Sequence, residues 1–238
     1  MPADLDLPQL AAIGLIFLAW SLYTPVLASI GRGTHNIQLH AVRRHWMHML
    51  FRSPRENRVF DGVMMGHIIN SVSFFGSATL IVLASVVGML AGVNGVYASV
   101  GTSRFIAAMS VDLFAIHLAV LAAILAFSFF SFTYAQRKLA YTIAMIGALR
   151  DASENTPHCK VMIDQTAIVL TEAVGSINTG IRGFYYAVAA LFLFAGPAHA
   201  VVMTVLITGV LYYRQKFSPT AIAIARYVDA LAKVEKGE

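Results

Sequence analysis

Residues 105–134 read FIAAMSVDLFAIHLAVLAAILAFSFFSFTY, and this stretch decides the fold. It holds one carboxylate, Asp112, one imidazole, His117, and no other acidic or basic side chain. A helix needs roughly 20 mostly apolar residues to cross a hydrocarbon core ~30 Å thick, so 105–134 reads as a membrane span. The helical pattern starts near Thr102-Ser103, both plausible caps, and meets no proline before Asp151. A helix of that length extends on the order of 67 Å, about twice the hydrocarbon core. The expectation is that 135–150 projects beyond the membrane.

Working outward, the rest of the chain has the same character. Of 238 residues, 58% are hydrophobic and only 12% charged, against about 25% charged in soluble domains. Too few charges remain to cover a water-facing surface, and lipid is the solvent that tolerates this. Further apolar runs occupy about 8–30, 68–91, 182–195 and 198–213. The single cysteine, Cys159, excludes an internal disulfide and a multi-cysteine metal site. A net charge of +5 suits anionic headgroups on a cytoplasmic face, and no nucleic acid is expected. Asp4 and Asp6 stand before the first run where a cleaved leader would carry basic residues, so that run is read as a retained helix.

Local signals mark the boundaries. Gly31-Arg-Gly-Thr34 ends the first helix, and Ser53-Pro-Arg-Glu56 resembles a capping box that opens the second. Gly92-Val-Asn-Gly95 stops the second helix, Thr156-Pro157 starts the fourth, and Gly196-Pro197 breaks it. The fifth run is short, and one broken or re-entrant helix is the alternative to a separate span. All the 17 basic residues except Arg104 fall on one side of a five-span arrangement. By the positive-inside rule that side is the cytoplasm, with the N-terminus outside and the C-terminus inside. A four-span arrangement would put the C-terminal basic cluster outside. The predicted fold is all-α: a transmembrane bundle of about five spans in one membrane domain (1–217), with a cytoplasmic C-terminal tail (218–238).

Two cytoplasmic elements are expected. Residues 35–52 form an amphipathic helix with Leu39, Val42, Trp46, Met49 and Leu50 on its apolar side, suited to the headgroup plane. Residues 135–181 form a helical hairpin around Asp151–Pro157. Its return helix carries a heptad seam at Ile163, Ala167, Leu170, Val174, Ile177 and Ile181, and its outgoing helix is matched to it through Leu139, Ile143 and Ile146. The pair either packs on itself or offers a docking surface.

Ionisable groups inside spans are costly and draw attention as functional candidates. Asp112 and His199 lie at similar depth, and a hydrogen bond between them is expected; the alternative is that Asp112 faces outward or pairs with Arg104. His117 lies deeper. His67 and His117 sit at different depths, which argues against a haem, and no cofactor is expected. His45 and His48 share a helix face without supporting ligands, so no metal is expected either. The second helix shows a stripe of small and polar residues: Gly62, Gly66, Asn70, Ser73, Ser77, Ala84 and Gly88. Such a stripe permits close helix packing, or Asn70, Ser73 and Ser77 line a narrow polar path. Gly175, Thr179 and Gly183 repeat the small-residue pattern on the fourth helix, with Glu172 and Asn178 beside it at a cytoplasmic mouth. No phosphate-binding loop, zinc-protease motif or nucleophile elbow is present, and no enzyme is expected.

Several stretches resemble one family. Arg43-Arg-His-Trp-Met-His-Met49, Glu56-Asn-Arg58, Asp61 and Ser71-Val-Ser-Phe-Phe-Gly-Ser77 are similar to an uncharacterised membrane-protein family of bacteria and plants, catalogued as domain of unknown function family 599. Gly183-Phe-Tyr-Tyr186, Gly196-Pro197 and Tyr212-Tyr-Arg-Gln-Lys-Phe217 resemble its C-terminal part. The resemblance implies a polytopic membrane protein without an assigned activity. It singles out Arg58, Asp61, Ser73, Phe74 and Phe75, and Arg58 and Asp61, at i, i+3, are positioned to organise the inner end of the second helix. The expected function is a homo-oligomeric channel or carrier for a small solute in a bacterial inner membrane. The alternative is a non-catalytic accessory or scaffold subunit of a larger membrane complex.

Overall fold

A computed structural model describes residues 4–29, 34–52, 59–100, 106–149 and 157–236. Among these, every regular element is helical: α1 (Leu7–Ser29), α2 (His35–Arg52), α3 (Val59–Ala91), α4 (Val93–Val100), α5 (Val111–Ala148), α6 (Pro157–Leu191), α7 (Pro197–Lys216) and α8 (Pro219–Lys236). A 3-10 turn, Phe192–Ala195, extends α6. Four helical stretches are long and apolar enough to cross a membrane: Leu7–Ser29, Val59–Ala91, Val111–Ala148 and Pro157–Ala195. The chain is a multi-pass membrane protein. Gly31–Gly33, Ser53–Glu56, Arg58, Thr102–Arg104 and Asp151–Thr156, which carry several of the expected boundary signals, lie outside the described residues.

The chain divides into two compact units. The first comprises 1–26, 76–130 and 179–212, and the second 27–75, 131–178 and 213–238. In the first unit, Ala12, Ile16 and Trp20 of α1, Ile124 and Leu125 of α5, and Ala189, Ala190 and Leu193 near the end of α6 are buried. A Cβ at Gly183 would collide with the Ser128 hydroxyl of α5, and would lie 3.6 Å from the Trp20 ring of α1. Gly196 turns the corner between α6 and α7 at φ 115°, ψ 159°, a region essentially closed to side chains with a Cβ. Tyr186 and Thr208, on either side of that corner, share a 3.1 Å hydrogen bond, so α7 runs back along α6.

Helix α5 starts later than its sequence pattern suggests. Residues 106–110 are not helical. The Ala107 N–H donates to the Phe194 carbonyl (2.9 Å), and the Tyr97 hydroxyl donates to the Met109 carbonyl. Ser110 is the cap, its hydroxyl accepting the Leu113 N–H at 3.2 Å. The Asp4 carboxylate accepts the Ser110 N–H at 2.7 Å, an anion placed at the positive end of the helix dipole. The glycines after α3 also do less than expected. The break is confined to Gly92, and α4 follows directly.

In the second unit, α2 covers the bounds expected of it, but its polar face is used within the chain. The Asn36 amide donates to the Thr171 carbonyl (3.1 Å), and His40 Nδ1 and Arg43 both reach the Thr171 hydroxyl (3.0 and 3.3 Å). One helical stretch further on, Arg44 pairs with Asp164 at 2.8 Å. These contacts run antiparallel along α6. Met47, Leu50 and Phe51 are buried, whereas Met49, expected on the apolar side, is exposed. Helix α8 packs against α2 and adds the pair His45–Glu235 (3.4 Å). The tail expected at 218–238 is thus largely this helix, opened by Ser218, whose hydroxyl accepts the Ala221 N–H at 3.1 Å.

The hairpin seam needs correction on both helices. On α6, Ile163, Ala167 and Leu170 are buried as expected, whereas Val174, Ile177 and Ile181 are only half-buried. On the hairpin part of α5 the buried positions are Ala135, Leu139 and Thr142, while Ile143 is 45% exposed. The 4-3 spacing of those buried residues is the true register. Thr142 fits it because its hydroxyl returns to the Lys138 carbonyl at 3.0 Å, which removes the cost of burying it.

Candidate functional site

The residues expected to form a polar path differ in exposure and in partners. Asn70 and Ser77 lie on exposed faces of α3, and Glu172 and Asn178 on exposed faces of α6. Ser73 is turned half inward and accepts a hydrogen bond from the Gln136 amide at 2.7 Å. Glu172 pairs with Lys138 at 3.3 Å. Asp112 and His199 are both exposed in the first turns of their helices. The expected hydrogen bond between them is not made among the described residues. The cause is the late start of α5, which puts Asp112 at the helix mouth rather than inside it. Its alternative partner, Arg104, lies outside the described residues.

His117 is fully buried. Its ring stands edge-on to Phe194, centroids 5.4 Å apart, and neither ring nitrogen has a hydrogen-bond partner among the described residues. Its ring is packed in the core of the first unit.

Of the residues singled out by resemblance, Asp61 has a clear role. Its carboxylate accepts the Trp46 indole N–H at 2.6 Å, which ties α2 to the first turn of α3. Phe75 stacks on Phe132 at 5.8 Å, and Phe74 is 70% exposed. Arg58 lies outside the described residues.

A site that the sequence did not announce lies wholly within the first unit. A cavity of about 480 Å³ opens between α1, α5 and α6. Helix α1 contributes Phe17, Trp20, Ser21 and Thr24; α5 contributes Ala123 and Phe127; α6 contributes Thr179 and Arg182. Trp20 meets Phe127 edge-to-face at 4.9 Å. The walls are mainly apolar and aromatic, as in most small-ligand pockets.

Among the described residues, Arg182 is the only charged one lining it. One guanidinium nitrogen donates to the Thr179 hydroxyl at 3.0 Å, and the cation lies 5.4 Å from the centre of the Tyr23 ring. Its Nε is buried without a hydrogen-bond partner, and no carboxylate pairs with it among the described residues. An arginine within a spanning helix is costly unless it finds a partner. In the sequence Arg182 reads only as one more basic residue at the edge of an apolar run. The cavity itself needs three helices to be brought together.

Residues 11–220 match the family described as protein of unknown function, DUF599. The chain belongs to that family. The match includes every residue that lines the cavity and every candidate of the polar path, and stops at the second residue of α8. No curated protein and no solved structure matches the chain.

Proposed function

We propose that this protein is a homo-oligomeric channel or carrier for a small polar solute, with α3 at the subunit contact. One observation carries the reading: Asn70 sits exposed on a candidate spanning helix, and among the described residues nothing lies within 4 Å of where a Cβ at Gly62 or Gly66 would stand. An amide left in lipid is costly, and a second copy that accepts its hydrogen bonds removes the cost. Ser77 lies seven residues on, on the same helix face. On this reading a path for solute would form between copies. Closed symmetric assemblies supply such axial paths.

The reading takes five spans, α7 being the fifth, with the N-terminus outside and the C-terminus on the cytoplasmic side of a bacterial inner membrane. The antiparallel Tyr186–Thr208 pairing supports α7 as a separate crossing. The role proposed is non-catalytic. The test is mass measurement of the purified protein in detergent, combined with solute flux in proteoliposomes. A defined oligomer that Asn70→Leu dissociates, with loss of flux, is expected. A monomer that conducts nothing would sink the reading.

A second reading, an accessory subunit of a larger complex, is favoured by Val161 and Ile168. These stand exposed at i, i+7 on the part of α6 within the second unit, where a protein partner would cover them.

A further inference from the structure

We infer that the cavity between α1, α5 and α6 binds an anionic amphiphile: a carboxylate or phosphate head on Arg182, with an apolar chain along the aromatic wall. The inference is independent of the oligomeric reading, because the cavity belongs to one copy and one compact unit.

Three observations converge on it. The first is charge. Arg182 carries a positive charge inside a candidate membrane span, and the described residues give it a hydroxyl and a ring face but no carboxylate. A guanidinium has five N–H donors in a planar fork suited to a carboxylate or phosphate. Among the described residues the guanidinium donates to Thr179 and its Nε is left unpaired, so the fork has donors to spare for an incoming anion.

The second is shape and chemistry. Phe17, Trp20 and Phe127 provide apolar walls, and about 480 Å³ holds an acyl segment or an aromatic acid. Ser21 and Thr24 add hydroxyls on the α1 side, able to donate to a second oxygen of the head.

The third is access. Ser21, Ala123 and Phe127 are exposed, so the cavity opens sideways from the helices rather than being sealed in the core. In a spanning bundle that opening faces lipid, the phase in which an amphiphile is dissolved. A free small anion from water would have no use for the aromatic wall. A neutral hydrocarbon would leave the cation unpaired. The chemistry shared by a membrane phospholipid and a free fatty acid satisfies both halves of the site.

Trp20 in the wall is a built-in reporter. The full-length protein in detergent is titrated with four brominated quenchers: 9,10-dibromostearate, its methyl ester, and phosphatidylglycerol and phosphatidylcholine bearing dibromostearoyl chains. Saturable quenching by one or both anionic probes is expected, with the uncharged or zwitterionic counterpart weaker by about tenfold or more, the worth of one charge-assisted hydrogen bond. Trp20→Phe should remove the saturable component, leaving Trp46 unquenched. Arg182→Gln should abolish the preference for the anionic probe, and Arg182→Lys should keep part of it. Tighter binding of dibromostearate would identify a free fatty acid, and tighter binding of phosphatidylglycerol a phospholipid. Equal quenching by acid and methyl ester, and by phosphatidylglycerol and phosphatidylcholine, would overturn the inference. That comparison uses the unmodified chain and decides the matter even where Arg182→Gln does not fold.

Discussion

Helices α3 and α6 carry the same kind of small-residue stripe and use it in opposite ways. On α6, Gly183 lies so close to α5 that a methyl group would overlap the Ser128 hydroxyl, and at Gly175 it would stand 3.3 Å from the Asn36 amide nitrogen. On α3, a methyl at Gly62, Gly66 or Gly88 would meet nothing within 4 Å among the described residues. Spacing alone announces that a helix can be approached closely; it does not say by what. One stripe is filled by the chain's own helices, and the other is left for lipid or another molecule.

The comparison is broken most sharply at Gly183. Gly183→Ala should destabilise the protein by about 1–3 kcal/mol through overpacking, read as a lower melting temperature in detergent. Ser128→Ala in the same chain should recover much of that, because the two sites are in contact and couple. An unchanged melting temperature in the single variant would mean α5 and α6 are not in contact there.

Gly66→Ala should act with the opposite sign. In open helix it removes a glycine's conformational freedom, worth about 0.5–1 kcal/mol in favour of the fold. If α3 is the subunit contact, the same methyl group should weaken the oligomer. A monomer made more stable together with an oligomer made less stable is the expected signature, measured by melting and by mass in detergent. An unaffected oligomer would remove Gly66 from the interface.

A smaller effect is expected from acid on the packed side of α6. Burial pushes the His48 imidazole below its ordinary value of 6.5, with Arg44 and Arg52 pushing the same way and Asp164 and Glu235 opposing. Burial also lowers His35, assisted by Lys216 and opposed by a hydrogen bond with the Gln215 backbone. A folded value below the unfolded one gives stability that is complete above pH 6.5 and lost as pH falls through the folded value. Melting should therefore drop modestly between pH 7 and pH 5, and His48→Gln should flatten part of that drop. A profile that rises toward pH 5 would show that the Asp164 pair outweighs burial.

Gly175→Ala should do least. The 3.3 Å neighbour is the end of a flexible asparagine side chain, so a small shift offsets the helix-propensity gain. A loss as large as that at Gly183 would show that the Asn36–Thr171 bond is rigid.

Much of the architecture was legible because it rests on local rules. The uncharged run from Leu7, the amphipathic 35–52 and the Gly196-Pro197 corner each announce themselves within a few residues. Helix α8 was missed although Ser218-Pro219 is a cap followed by a favoured first position; a basic C-terminal cluster drew the reading toward topology instead. Ile143 and Thr142 exchanged places because hydrophobicity suggested one register and helix geometry chose the other. Asp112 and His199 failed as a pair because the start of α5 is set by Asp4, Tyr97 and Phe194, all remote in sequence. The Arg182 cavity was illegible for the same reason: no single helix contains it.

The corner at Gly196 also fixes where the gene tolerates insertion. Helix α6, its 3-10 turn and α7 follow one another with a single residue between the last two, so there is no loop to lengthen. Each codon added at 196–197 would have to be absorbed by sliding a packed helix about 1.5 Å along its axis, against the Tyr186–Thr208 bond that holds it in place. An insertion library should be depleted at this corner and more permissive in α8 past residue 220, where the family's shared segment ends.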